Sequence, residues 1–225
     1  MALLHQAELQ PSKLELLDGW VQTQPWFDGA PDAALSTVAA FRFDDPEGEV
    51  GVETLLIRAG DGPTLQIPLT YRGSPLRGAD AFLIGTMEHS VLGARWVYDG
   101  VGDPVYLQTV TAAALNGGNQ AELFIDIDGK RVERTPTALV TGTGTARDSV
   151  ILPALSDLAV HQDGAVTVVD TSAMQVGVRR VVGGGAISIS GPSAEGYRAA
   201  ETLTGTWDGA AEPQPLVVVR HNRAH

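Results

Sequence analysis

Residues 82–104 are richer than any other part of the chain in side chains that could do chemistry. Glu88 and His89 stand side by side, and Asp99 follows farther along the same segment. A carboxylate close to an imidazole can take up and deliver a proton during a reaction. One hypothesis is therefore an enzyme that uses Glu88, His89 and Asp99 as its acid and base groups.

A metal centre or a nucleophile in this segment would need groups from elsewhere. Glu88 and His89 are neighbours on a predicted strand and point to opposite faces, so a metal would also need a ligand such as Asp99 or Asp103. The chain has no cysteine, which excludes disulfides and cysteine-based zinc sites. Ser90 directly follows His89, and adjacent residues do not form the Ser–His pair of a hydrolase. We expect neither a metal nor a cofactor, and we find no complete kinase or hydrolase constellation.

Several side chains of the same segment also have structural interpretations. Asp103 is followed by Pro104, which is the order expected of a helix N-cap and a first helical residue. Trp96 and Tyr98 are two residues apart on a predicted strand and share a face, which favours burial in a core. Arg95 points to the other face of that strand.

Two glycine-rich segments raise the question of phosphate binding. Residues 141–145 read Thr-Gly-Thr-Gly-Thr, and residues 183–185 are three glycines. Neither has the third glycine of the dinucleotide fingerprint or the Gly-Lys-Ser/Thr ending of a P-loop. Both segments are therefore predicted to be flexible turns.

Charge and composition narrow the range of partners and locations. The net charge is −12, from 27 acidic and 15 basic residues, so a nucleic-acid or anionic membrane surface is not expected as a partner. The N-terminus lacks the basic and apolar regions of a signal peptide, and no apolar run has the roughly 18 residues of a membrane span. The expected location is the cytoplasm.

Hydrophobic periodicity predicts a β-rich first half with two helices. A helix is expected over residues 11–21, with Pro11 in its first turn. A second is expected from Pro104 to about Leu115. Pro68 removes a hydrogen-bond donor from its strand, so that strand is predicted to lie at a sheet edge or to carry a bulge. The predicted strands are residues 35–43, 50–58, 64–71, 82–89 and 94–99.

From residue 119 onward the chain is richer in Gly, Thr, Val and Ser, and its strand candidates are short and closely spaced. A helical turn is expected near residues 193–197. The pattern predicts an α+β, mostly antiparallel β protein, with a large curved sheet or a barrel- or sandwich-like arrangement and two or three short helices. We divide it into residues 1–118 and a β-rich half, 119–225, packed tightly on the first. The strand candidates of this half are residues 122–127, 138–143, 158–162, 165–170, 174–182, 186–190, 201–207 and 216–221.

Three segments in order resemble a known family. They are Gln-Pro-Trp-Phe-x-Gly at residues 24–29, Ile-Pro-Leu-Thr-Tyr-Arg-Gly at residues 67–73, and the series from Leu83 to Pro104 that contains His-Ser-x-Leu-Gly-x-Arg-Trp-Val-Tyr-Asp-Gly. Together they resemble proteins with a maltokinase N-terminal cap-like domain, typical of actinobacteria, over about residues 8–118.

The resemblance implies a cap without its kinase lobe. In maltokinases, ATP-dependent phosphorylation of maltose belongs to a lobe with a catalytic His-x-Asp segment. His161 and Asp163 have those letters here, but they flank a predicted tight turn, and Val168 stands where an asparagine would follow. The resemblance therefore implies a stand-alone cap that partners a separate kinase or sugar-metabolism enzyme.

Three functions follow as hypotheses. The first is a non-catalytic accessory or regulatory protein for such an enzyme. The second is a small-molecule binding protein for a sugar or sugar phosphate, in which Trp26, Trp96 and Tyr98 stack on the ligand while Asp99 and Arg95 hydrogen-bond it. The third is the enzyme that uses Glu88, His89 and Asp99. The ligand or partner surface is predicted to contain Glu88, His89, Arg95, Trp96, Tyr98 and Asp99.

Overall fold

A computed structural model describes residues 2–4, 8–127, 130–146, 150–189 and 200–221. The helical turn expected near residues 193–197 lies outside these residues. In the described ranges the helices are α1 (Lys13–Val21) and α2 (Pro104–Asn116), and the strands are β1 (Ala2–Leu4), β2 (Leu9–Gln10), β3 (Leu35–Phe43), β4 (Gly51–Ala59), β5 (Thr64–Arg72), β6 (Leu83–His89), β7 (Gly93–Asp99), β8 (Leu123–Ile127), β9 (Lys130–Arg134), β10 (Ala138–Gly142), β11 (Ala159–Asp163), β12 (Val166–Asp170), β13 (Met174–Arg179), β14 (Glu201–Trp207) and β15 (Gln214–His221). The α+β, mostly antiparallel class predicted from the sequence is confirmed.

The first large sheet has the strand order β2-β6-β7-β5-β4-β3, and every pairing in it is antiparallel. Helix α1 covers one face of this sheet and buries Leu17 and Val21 fully. The helix begins later than predicted, because Ser12 is its N-cap and forms a capping box with Glu15. Pro11 therefore precedes the helix instead of standing in its first turn.

The prediction that Pro68 places its strand at a sheet edge or in a bulge is wrong, because β5 pairs with both neighbours without a register shift. Strand β5 lies between β4 and β7. The backbone N–H of Gln66 points away from β4 and donates to the carbonyl of Arg180 at 2.8 Å. N–H directions alternate along a strand, so residues two apart point the same way. The nitrogen of Pro68, like that of Gln66, therefore faces away from β4. The β5–β7 ladder begins only at Leu69, so the missing donor falls in the gap between two pairing partners.

The second large sheet has the strand order β10-β14-β15-β13-β12-β11, and it too is antiparallel. The strand predicted over residues 186–190 is wrong in its described part, since residues 186–189 are irregular. Ile187 and Ile189 are nevertheless buried, against Val166, Val168 and Val218. A third, small sheet pairs β1 with β8 in parallel and β8 with β9 antiparallel; β1, β2 and β9 were not predicted.

Helix α2 lies between the two large sheets, and one core contains side chains from all three. Tyr106, Leu107 and Val110 of α2 pack with Phe41 of β3 and with apolar side chains of the second sheet, such as Leu216. The sheets also meet directly, since Val182 N–H donates to Thr64 O at 2.7 Å beside the Gln66–Arg180 bond. The division into two halves at residue 118 stays a prediction.

Neither α1 nor α2, the helices of the described ranges, is long and apolar enough to cross a membrane.

A buried polar group on the first sheet should make stability pH-dependent in acid. The Glu53 carboxylate accepts hydrogen bonds from Lys13 Nζ and Tyr71 Oη. Burial is the largest single influence and would raise its pKa, but attraction to Lys13 and Arg42 together with these hydrogen bonds outweighs it, so the pKa of Glu53 is lowered from 4.5. A lowered folded-state pKa contributes stability that is present above the ordinary value and is lost as pH falls through the lowered one.

We therefore expect E53Q to be less stable than the parent at about pH 6 and to lose less stability between about pH 6 and pH 3. Urea denaturation at several pH values measures both effects. The control is E49Q, at an exposed glutamate of the turn before β4. Its loss of stability between about pH 6 and pH 3 should match that of the parent. If E53Q lost as much stability as the parent over this pH range, Glu53 would not be the source of the pH dependence.

Candidate functional site

The acidic side chain at the start of α2 has a structural role. Asp103 is completely buried, and it is the N-cap of α2, as the Asp-Pro order predicted. Its carboxylate accepts from Arg72 Nε and Nη2, from Thr70 Oγ1 and from the backbone N–H of Val105, at 2.7–3.0 Å. Hydrogen bonding to Asp103 raises the pKa of Arg72. Asp103 is thus fully engaged in holding α2 on the first sheet.

Asp99, at the end of β7, is paired with an arginine from the second half of the chain. Arg180 Nη2 donates to Asp99 Oδ2 at 2.6 Å, and Arg180 Nε donates to Thr167 Oγ1 at 2.8 Å. The guanidinium carbon lies 5.5 Å from the ring centre of Trp26. Only 1% of the Arg180 side chain is exposed, and its Nη1 has no hydrogen-bond partner among the described residues. A buried donor without a partner is unusual and calls for a ligand or a water.

Asp99 and Arg180 line a cavity of about 210 Å³, called here the junction cavity because both large sheets contribute to it. Its wall combines aromatic rings with polar groups. Pro25 and Ala81 are exposed, and His161 is 48% exposed in its side chain, so the cavity opens to solvent there. The lining residues are Trp20, Gln24, Pro25, Trp26, Ala81, Phe82, Asp99, Val101, Val160, His161, Gln162, Thr167 and Arg180.

The charges around the junction cavity are balanced or acidic. The Asp99 carboxylate already neutralises Arg180, and His161 Nδ1 at the mouth lies 3.4 Å from Asp170 Oδ2. Tyr106, near the ion pair, has its pKa raised mainly by burial and further by Asp99, with Arg180 acting in the opposite direction. The Tyr106 hydroxyl therefore stays protonated at any physiological pH.

The structure does not bring together the proposed acid and base groups. Glu88 and His89 lie at the turn end of the β6–β7 hairpin, whereas Asp99 lies at its other end. Asp99 is six positions along β7 from Gly93, which is about 20 Å at the rise of an extended strand. The hypothesis of an enzyme that uses all three groups needs them in one pocket, and the hairpin holds them apart.

The hairpin turn itself is ordered by its own polar side chains. His89 Nδ1 accepts hydrogen bonds from the backbone N–H groups of Val91 and Leu92, and Arg95 Nη2 donates to the Leu92 carbonyl at 2.6 Å. Glu88 is exposed beside them. Glu88 and Arg95 flank the turn on opposite faces of the hairpin, and together with His89, Val91 and Leu92 they form its end, called here the hairpin tip.

The two predicted aromatic residues of β7 are outside the junction cavity. Tyr98 is buried, and its hydroxyl accepts from the backbone N–H of Leu76 at 2.8 Å. Trp96 is half-buried opposite Thr86 and Arg72. Of the residues proposed to hold a sugar, the structure places only Trp26 and Asp99 together, and Arg180 stands beside Asp99 where Arg95 was proposed.

Sequence reasoning missed Arg180, Thr167, Gln162 and His161 as cavity residues. One signal was present, because Arg179 and Arg180 interrupt a run that is otherwise apolar. Arginine is rarely buried without a partner, so such a position predicts an ion pair. It does not identify Asp99 as that partner, since the two residues are far apart in the chain.

The glycines of residues 141–145 do not form a phosphate cradle. Thr141 and Gly142 end β10, and the chain then runs along the C-terminus of α2. The backbone N–H groups of Gly118, Gly144 and Ala146 donate to the last carbonyls of that helix, those of Ala113, Ala114 and Leu115. These donors are used, and a helix C-terminus carries partial negative charge that repels phosphate. The prediction of a flexible turn is wrong here.

The second glycine segment surrounds a cation. Arg179 Nη1 donates to the carbonyl of Gly183, and Nη2 donates to that of Gly185 at 2.6 Å. Burial lowers the pKa of Arg179. Because the carbonyls of the loop point at a guanidinium, this loop too is occupied within the chain.

A larger depression of about 840 Å³ lies along α2. Its wall includes Asp44, Gln108, Asn116 and Glu122, and none of its described lining residues has a buried polar atom without a partner. No group of three or more His, Asp or Glu side chains in the described ranges could hold a metal ion. The junction cavity is therefore the stronger candidate for a ligand site.

Comparison with known proteins agrees with the predicted resemblance. Residues 20–103 match the family model described as the maltokinase N-terminal cap domain. The match extends from the end of α1 to the N-cap of α2 and includes the β6–β7 hairpin and Asp99. The resemblance predicted from the sequence is confirmed over those residues. A search of curated proteins found no match.

Proposed function

We propose, from the cap-domain match of residues 20–103, that the protein is a non-catalytic accessory protein that works with a separate sugar kinase or sugar-metabolism enzyme. The observation that carries the proposal is the hairpin tip inside the matched region. There Val91 is 55% and Leu92 is 47% exposed. An adjacent pair of exposed apolar side chains within a polar rim is a feature that protein contact surfaces share.

The hairpin tip is suited to be an anchor for a partner. The hydrogen bonds to His89 Nδ1 and from Arg95 Nη2 fix the turn, so little conformational freedom is lost when a partner binds. Glu88 and Arg95 provide charges of both signs at its rim, which favours specificity. A partner would therefore cover Leu92 and Val91 with an apolar pocket and pair with the rim.

A photo-crosslinking residue at Val91 should capture the same sugar kinase or sugar-metabolism enzyme in repeated pull-downs from the native host. L92D should weaken the complex with that enzyme about tenfold or more, because a charge replaces a buried anchor. The matched control places the crosslinker at Val132 of β9, which is 41% exposed outside the matched region. Equal capture from Val91 and Val132, or an affinity unchanged by L92D, would contradict the proposal.

The second candidate function is binding of a small sugar or sugar phosphate. The junction cavity favours it, because an aromatic wall and a buried Asp–Arg pair are what a polyhydroxylated ligand needs. A ligand that binds only the folded state raises Tm, so thermal-shift measurements with both ligand classes test this function. Absence of a shift with every member of both classes would count against it.

A further inference from the structure

We propose that the junction cavity binds one uncharged polyhydroxylated ring of hexose size and discriminates against sugar phosphates and disaccharides. This inference rests on the second candidate function and narrows its ligand class. Hydrogen-bonding capacity, wall composition, charge and volume each support a part of it.

The buried ion pair leaves one donor group and several acceptor positions unused. Arg180 Nη1 carries two N–H donors without a partner among the described residues, whereas Nη2 and Nε are bound to Asp99 and Thr167. The Asp99 carboxylate has about four lone-pair positions, and it accepts from Arg180 and, at 3.5 Å, from the N–H of Val101. A hydroxyl both donates and accepts, so neighbouring hydroxyls on a ring could use the free positions of Asp99, and those of the buried Arg180 Nη1 once side-chain movement on binding uncovers it.

The rest of the wall is suited to the C–H faces of such a ring. Trp20, Trp26 and Phe82 line the cavity, and the two indoles meet edge to face with centroids 6.0 Å apart. Aromatic rings provide large apolar area in a fixed geometry. A ring with hydroxyls on its rim and C–H groups on its faces would meet both kinds of wall.

The charge around the cavity disfavours an anion. Asp99 already balances Arg180, and Asp170 adds a carboxylate beside His161 at the mouth. A bound phosphate would lose its water without gaining an unpaired cation, which is a costly exchange. The overall charge of −12 adds to this repulsion.

The volume sets an upper limit on ligand size. The cavity holds about 210 Å³, which is below the roughly 300–1,000 Å³ of pockets for drug-sized molecules. One ring is therefore compatible with this space, and two linked rings would extend beyond it into solvent.

The test is titration of the full chain with glucose, myo-inositol, glucose 6-phosphate and maltose. Binding is measured by the change in Tm and by tryptophan fluorescence. Glucose or myo-inositol should bind at least about tenfold more tightly than the phosphate and the disaccharide. A81W should abolish this binding, because Ala81 is exposed at the mouth and a large side chain there fills the cavity without removing a buried group. A34W, at an exposed alanine beside β3, should bind like the parent.

The outcomes separate the inference from the function on which it rests. If glucose 6-phosphate or maltose binds as tightly as glucose and A81W blocks that binding, the ligand class proposed here is wrong and the binding function stands. If no compound binds, both are wrong. Binding that A81W leaves unchanged places the ligand elsewhere and overturns the inference. If A81W does not fold, the smaller A81L fills the same space.

Discussion

Replacement of Asp103 by alanine should lower the free energy of unfolding by about 3–5 kcal/mol, the range seen when one partner of a buried ion pair is removed. The carboxylate is fully buried and satisfies three side-chain donors and one backbone N–H. Its loss leaves Thr70, Arg72 and the first turn of α2 without their acceptor. The side chain of Arg72 is 19% exposed, so water can compensate only part of this loss.

Urea denaturation measures the effect, and two further variants assign it. D103N keeps a good N-cap and removes the charge, so it should lie between the parent and D103A. R72M removes the cation and leaves the cap, and the double-mutant cycle of Arg72 with Asp103 isolates their coupling. D18A, at an exposed position of α1, is the control and should change stability by less than about 0.5 kcal/mol. A D103A protein within 1 kcal/mol of the parent would contradict the role assigned to this carboxylate.

At Asp103, the sequence predicted only the features that depend on residues nearby in the chain. The Asp-Pro pair predicted the cap and the start of α2, because capping involves residues within one helical turn. The Arg72 partner of Asp103 was not predicted, since it stands on β5 and only the sheet register brings it near. The same holds for Asp99 and Arg180, which the contact between the two sheets brings together.

Strand prediction succeeded where the local sequence pattern decides the structure and failed where a tertiary partner decides it. The bounds of β3 and β14 agree with the predicted ones, because each strand has one apolar face. Pro68 misled because the rule for proline concerns a missing donor, and here the donor position faces a gap inside the sheet. A local rule cannot show where pairing with a distant strand stops.

The glycines at and after the end of β10 are a second case in which a distant part of the chain decides the structure. Their spacing suggested a phosphate site or a flexible turn, and both interpretations treated glycine as a source of backbone freedom. In the structure these glycines are required by close approach, because the backbone of residues 142–144 lies against the last carbonyls of α2. Sequence alone does not show which glycine is needed for its φ and which for its missing side chain.

Replacement of Gly144 by alanine should therefore destabilise the protein by about 2–3 kcal/mol, as overpacking of a tight backbone contact does. The added Cβ would lie 2.0 Å from the carbonyl oxygen of Leu115, and neither backbone can withdraw without breaking the bonds from Gly144 and Ala146 to the end of α2. G142A should behave alike, since its Cβ would lie 2.0 Å from Ala113 O. The control is G19A, for which the expected change in stability has the opposite sign. Gly19 of α1 has nothing within 4 Å of an added Cβ, so G19A should stabilise the protein by about 0.5–1 kcal/mol. Urea denaturation of the three variants measures these effects. A G144A protein as stable as the parent would mean that the loop can leave α2 freely. The N–H groups of the loop would then be available to a phosphate.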